Sequence, residues 1–135
     1  MIFEQTQRTP YVELTSNYCA IRGECYPENI AEWSGPVLEG LEESMSIGHG
    51  TFKVVIELYY FNSSSAKFLF DFFEYLEETA ETGREIVIHW CYRTEDDTML
   101  EAGEDFREDL ERCTYELVPV NTCLLYTSPS PRDTM

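Results

Sequence analysis

Four short polar residues stand in a row at Asn62, Ser63, Ser64 and Ser65, with Lys67 just beyond them. Side chains of these types accept hydrogen bonds from the unpaired N–H groups that open a helix, so at least one of the four is expected to serve as an N-cap. A single cap needs only one such residue. Hydroxyls at a helix N-terminus also stand where a phosphate is welcome, because free N–H groups and the positive end of the helix dipole both point at it. Capping alone and a phosphorylation switch are therefore the two readings of this run.

The elements around the run must place it. Thr51 to Phe61 is rich in β-branched and apolar residues and predicts a buried strand, and SSAKFLFDFFEYLEE predicts a helix directly after it. On that helix Ala66, Leu69, Phe70, Phe73, Leu76 and Ala80 are assigned to the core face. Phe68, Phe72 and Tyr75 form a second stripe, roughly opposite by the rule of about 100° per residue. That stripe is either covered by another element or a partner-binding surface.

Upstream, Tyr11 to Leu14 and Tyr18 to Cys25 predict a hairpin. Asn29 is a candidate N-cap for a helix carrying Trp33, Val37, Leu38, Leu41 and Met45, which Gly35-Pro36 interrupts or restarts. Downstream, Arg84 to Tyr92 predicts a strand, Glu95 to Arg112 a helix with Met99, Gly103, Phe106, Leu110 and Cys113 inward, and Thr114 to Val118 a last strand. Strand, helix and strand joined this tightly imply parallel, right-handed crossovers. The expected fold is α/β (α+β): a single domain with an N-terminal hairpin, then a helix and a βαβαβ run, and helices on a mixed central sheet.

No other constellation supports catalysis. His89 alternates within a strand beside no positioned nucleophile, and reads as structural. The serine run lies in no G-x-S-x-G elbow, and neither phosphate-binding glycine motif occurs. Cys19, Cys25, Cys91 and Cys113 are scattered without a CxxC pair, and His49 and His89 stand alone, so no metal and no cofactor is expected. The thiols read as reduced and structural. Asp96, Asp97, Glu101, Glu104, Asp105, Glu108 and Asp109 lack the alternation of a calcium loop and read as a solvated helix face, with recognition of a basic partner as the minor alternative. The chain is not expected to be an enzyme.

Charge narrows the partners. Asp plus Glu number 26 against 9 Lys plus Arg, a formal net charge of -17, which repels nucleic-acid phosphates and anionic lipid headgroups. No apolar run is long enough to span a membrane, and MIFEQTQRTP has no basic, apolar leader pattern. A soluble, cytoplasmic protein is expected.

From Cys123 the sequence loses hydrophobic period, and CLLYTSPSPRD resembles one translated frame of a transposon-based sequencing-library adapter. The expected division is a domain at 1–122 and a non-native read-through tail at 123–135, which leaves the native C-terminus beyond Thr122 undefined.

GECYPENIAEW at 23–33, PVLEGLEE at 36–43, LYYFNSSSAK at 58–67 and EDFREDL at 104–110 resemble the successive blocks of the SiaC family of bacterial regulatory phosphoproteins. The resemblance runs over nearly the whole chain up to the tail. It implies a non-enzymatic switch in cyclic-di-GMP signalling and biofilm control. A dedicated Ser/Thr kinase and a PP2C-type phosphatase would set its phosphorylation state, and the unphosphorylated form would bind and activate a diguanylate cyclase.

The family residue that takes the phosphate follows the Asn of the third block and is usually Thr; here it is Ser63, with Ser64 and Ser65 as rivals. Asn62 and Lys67 would support the phosphate. Phe68, Phe72 and Tyr75 would form the partner-binding stripe beside it. The arrangement is also similar to STAS-type anti-sigma-factor antagonists at the level of fold. The alternative is an acidic protein-interaction domain, or an antagonist of that type, in which the serines only cap the helix and Ser63→Ala costs about 0.5–2 kcal/mol.

Overall fold

The computed structural model describes residues 1–120. Six strands and three helices follow one another as β1 (Ile2–Phe3), β2 (Tyr11–Thr15), β3 (Tyr18–Cys25), α1 (Ile30–Ile47), β4 (Phe52–Phe61), α2 (Ser63–Glu81), β5 (Ile86–Arg93), α3 (Asp97–Arg107) and β6 (Thr114–Val120). The strands form one sheet in sequence order. β1, β2 and β3 pair antiparallel and β3 through β6 pair parallel, so the predicted hairpin and βαβαβ run are both present in a mixed sheet. The short edge strand β1 is an addition to that expectation. The tail expected from Cys123 lies outside the described residues.

Strand alternation decides where the helices go. Val12, Ile21, Ile56, Trp90 and Leu117 lie in one registered row across the sheet and join a single core with buried residues from all three helices, among them Val37, Leu41, Phe72, Phe73 and Phe106. All three helices therefore cover one face. The neighbouring row, Glu13, Ala20, Val55, His89 and Glu116, belongs to the other face.

Two local expectations fail for physical reasons. Gly35-Pro36 does not break α1, which runs through Pro36. Pro36 and Glu32, whose carbonyl loses its partner to the proline, are both exposed, so water can take the lost bond. The helix expected over 95–112 is shorter, because Asp96 caps its start by accepting from the Met99 N–H at 3.1 Å and the chain leaves the helix after Arg107. Phe106 still faces inward, and the indole of Trp90 donates to the Met99 carbonyl at 2.9 Å within the core.

Candidate phosphoacceptor site

The serine run sits where β4 meets α2. Phe61, the last residue of β4, pairs with Cys25 of β3, and the Asn62 N–H donates to the Cys25 carbonyl at 3.4 Å. That bond holds Asn62 in an extended conformation, from which its side-chain oxygen accepts the Ser65 N–H at 3.0 Å and its carbonyl accepts the Ala66 N–H at 2.9 Å. Asn62 is thus the N-cap, and Ser63, Ser64 and Ser65 are the first three residues of the helix. The N–H groups of Ser63 and Ser64 precede the helical ladder and are the ones open to a further acceptor.

Burial divides the three serines. Ser63 and Ser64 are exposed, whereas Ser65 is 0% exposed. The Ser65 hydroxyl has no oxygen or nitrogen partner among the described residues and lies beside the Cys25 thiol, which burial pushes up in pKa and this hydroxyl draws partly back. Ser65 is therefore corrected as a rival phosphoacceptor, since a kinase would have to open the first turn to reach it. Lys67, one turn beyond Ser63, is exposed and has no ion-pair partner among the described residues.

The site shares its edge of the sheet with two other helix starts. Asn29, Asn62 and Asp96 cap α1, α2 and α3 beyond the C-terminal ends of the parallel strands, the usual location of sites in such sheets. The first turns of α1 and α3 carry Glu32 and Asp97, while that of α2 carries no acid. Next to the serines, Tyr26 of the YPEN block meets Tyr60 edge-on at 5.6 Å. The fold thus brings two of the distinctive sequence blocks together.

Of the two readings of the Phe68, Phe72 and Tyr75 stripe, the structure has the covered one, which corrects its assignment as an exposed partner-binding surface. Phe68 and Phe72 are 3% and 0% exposed, and Tyr75 is half-buried. Phe68 packs edge-on against Trp33 of α1 at 5.1 Å, so α1 covers the stripe. Conversely Phe70, assigned to the core, is 49% exposed. The signal was present in the spacing: Ser65, Phe68, Leu69, Phe72, Phe73 and Leu76 follow the i, i+3, i+4 pattern of a single broad buried face. Phe70 falls outside it, between Lys67, Asp71 and Glu74.

Other singled-out residues take no part in the site. His89 Nε2 lies 3.1 Å from Glu116 Oε1 on the sheet face away from the helices. The four described cysteines are free and buried, and burial raises their pKa values, Cys91 to about 11 and Cys113 to about 12. Among the described residues no group of His, Cys, Asp or Glu has the arrangement of a metal site, and no helix is long and apolar enough to cross a membrane.

A family model for SiaC family regulatory phosphoproteins matches residues 3–120. The chain belongs to that family. It is 32% identical over 106 residues to an uncharacterized protein of Pseudomonas aeruginosa strain UCBPP-PA14, covering 77% of this chain and 84% of the relative. Its fold is similar to apo-SiaC from Pseudomonas aeruginosa, with TM-score 0.78 and 27% identity over 87% of this chain and 97% of that one. It is similar also to SiaC in complex with the diguanylate cyclase SiaD, which SiaC activates, with TM-score 0.79 and 28% identity over 87% and 98% of the two chains. Membership of the SiaC family makes this a regulatory protein and not an enzyme.

Proposed function

We propose that this protein is a phosphorylation-controlled activator of a diguanylate cyclase, with Ser63 as the phosphoacceptor. In this reading the unphosphorylated form binds the cyclase in the cytoplasm, and a Ser/Thr kinase and a PP2C-type phosphatase set the balance between forms. The observation that carries it is the exposed Ser63 hydroxyl at the first position of α2, in a turn already capped by Asn62. Because Asn62 supplies the cap, capping does not account for Ser63, which weakens the alternative of a plain acidic interaction domain.

A phosphate here adds about -1.5 to -2 charges. The N–H groups of Ser63 and Ser64 and the dipole of α2 favour that charge, the first turn holds no carboxylate to oppose it, and Lys67 can pair with it. The fold tolerates the modification. A partner covering this turn does not, because it would have to desolvate a dianion.

The test is intact and peptide mass spectrometry after incubation with ATP and a kinase of the cognate family, alongside Ser63→Ala and Ser64→Ala, followed by cyclase activation with each form. One phosphate mapping to Ser63, absent from Ser63→Ala, with activation retained by that variant and lost on phosphorylation, is the expected result. A phosphate on Ser64, or a phosphorylated form that activates as well as the unmodified one, overturns the proposal.

A further inference from the structure

The water-facing side of α2 is one stripe that begins at Ser63 and continues through Lys67, Phe70, Glu74, Glu78 and Glu81. Beside its second half, between α2 and the end of α3, lies an open groove of about 570 Å³. Phe70, Phe106 and Leu110 provide its apolar floor, and Glu74, Glu78 and Asp109 stand around it. Among the described residues no Lys or Arg lines it. Phe70 is held edge-on by Phe106 at 5.0 Å, so this half-exposed ring is presented from a fixed support. Glu77 fixes the far wall by accepting the N–H groups of Glu111, Arg112 and Cys113 at 3.0, 2.8 and 3.3 Å.

We propose that this groove docks a basic amphipathic helix of a protein partner, with an apolar side chain against Phe70 and Lys or Arg side chains against Glu74, Glu78 and Asp109. Charge complementarity selects this occupant. A second copy of the chain, at a net charge of -17, would bring like charge to an acidic wall, as would an anionic membrane or a nucleic acid. The geometry agrees: from Phe70 to Glu81 the stripe runs about 16 Å at 1.5 Å per residue, the length of three helical turns. Acids recurring at i and i+4 along α2 match cations at the same repeat on a neighbouring helix.

The inference rests on the partner-binding half of the proposed function and needs neither phosphorylation nor Ser63. Its test is therefore made without kinase or cyclase. The ¹⁵N-labelled chain is titrated with a capped amphipathic peptide of about 14 leucine and lysine residues, or with its leucine and glutamate counterpart. Amide shifts confined to residues 70–81 and 103–113 are expected with the lysine peptide, and none with the other. Phe70→Ala should weaken binding at least about tenfold, and Glu74→Gln with Glu78→Gln should weaken it and flatten its salt dependence.

Shifts spread over the acidic surface, or wild-type affinity in Phe70→Ala, overturn the inference. So does a dimer of the free chain that Phe70→Ala dissociates, since the occupant is then a second copy. A negative result for Ser63 phosphorylation leaves these outcomes untouched, and the reverse also holds.

Discussion

Replacing Phe72 and Phe70 separately by alanine distinguishes the two sides of α2. Phe72 is fully buried, with ring centroids of Phe68 at 5.9 Å and Phe73 at 5.6 Å. Truncating such a ring removes its burial and leaves a cavity between neighbours that relax only in part, a loss of about 3–5 kcal/mol. Phe70 already keeps 49% of its surface in water. Its truncation removes a partial burial and one aromatic pair with Phe106, together about 1–1.5 kcal/mol. With a urea slope of about 1–3 kcal/mol per molar, a difference near 3 kcal/mol separates the two unfolding midpoints by about 1–3 M. Equilibrium urea unfolding followed by tryptophan fluorescence reads this directly. Equal midpoints would refute the burial argument. So would a Phe72→Ala variant that keeps its stability and loses only partner binding, the outcome that a partner-binding role for that stripe requires.

Two further outcomes test the site and the groove wall. Asn62→Ala should cost about 0.5–2 kcal/mol through the lost bond to the Ser65 N–H, while Ser63→Ala should stay within about 0.5 kcal/mol; equal losses in thermal unfolding would return Ser63 to a capping role. Burial opposes ionisation of Glu77, but its three backbone N–H bonds outweigh that and hold its pKa below the ordinary glutamate value. Its contribution is therefore present at neutral pH and lost as pH falls below about 4.3 and through the lower folded value. Glu77→Gln should be less stable than the parent at pH 7 and should show a smaller further loss between pH 7 and 3; an unchanged pH dependence would sink this account.

Five of the six strands and the parallel run β4 to β6 were legible because apolar positions alternate or run continuously, as in Thr51 to Phe61, and because short strand–helix–strand links permit little besides parallel pairing, whereas the two-residue β1 is too short to show a pattern. Helix ends were legible less well. Leu110 and Cys113 are spaced as a helical face, yet three N–H groups of the chain after α3 go to Glu77 of α2 instead of to a helical ladder, a tertiary contact that spacing cannot reveal. The candidate phosphoacceptor run was legible from residue types, but the sorting of Ser63 from Ser65 depends on how deep the first turn sits over Cys25. On α2 the error lay in the choice of stripe. Phe68, Phe70 and Phe72 are chemically identical, and what separates them is that Trp33 of α1 packs on one flank while the other opens on the groove.

The separation between Ser63 and Phe70 constrains how a phosphate would release a partner. They are seven positions apart on one stripe of α2, about 10 Å along its axis. A charge near -2 acting on a partner cation at that distance contributes only about 0.8 kcal/mol in water, and screening over a Debye length of about 8 Å reduces it to about 0.2 kcal/mol. A tenfold change in affinity takes about 1.4 kcal/mol. At long range the phosphate therefore attracts a basic partner, weakly and with the wrong sign for release, so the dianion must act on partner atoms in contact with it, where desolvation costs several kcal/mol. A docked helix that continues two turns from Phe70 past Lys67 reaches the first turn of α2 and meets that condition. Such a partner reads the phosphate at its end and the groove along its length, and because Ser63 is exposed above the buried Ser65, the core beneath need not move.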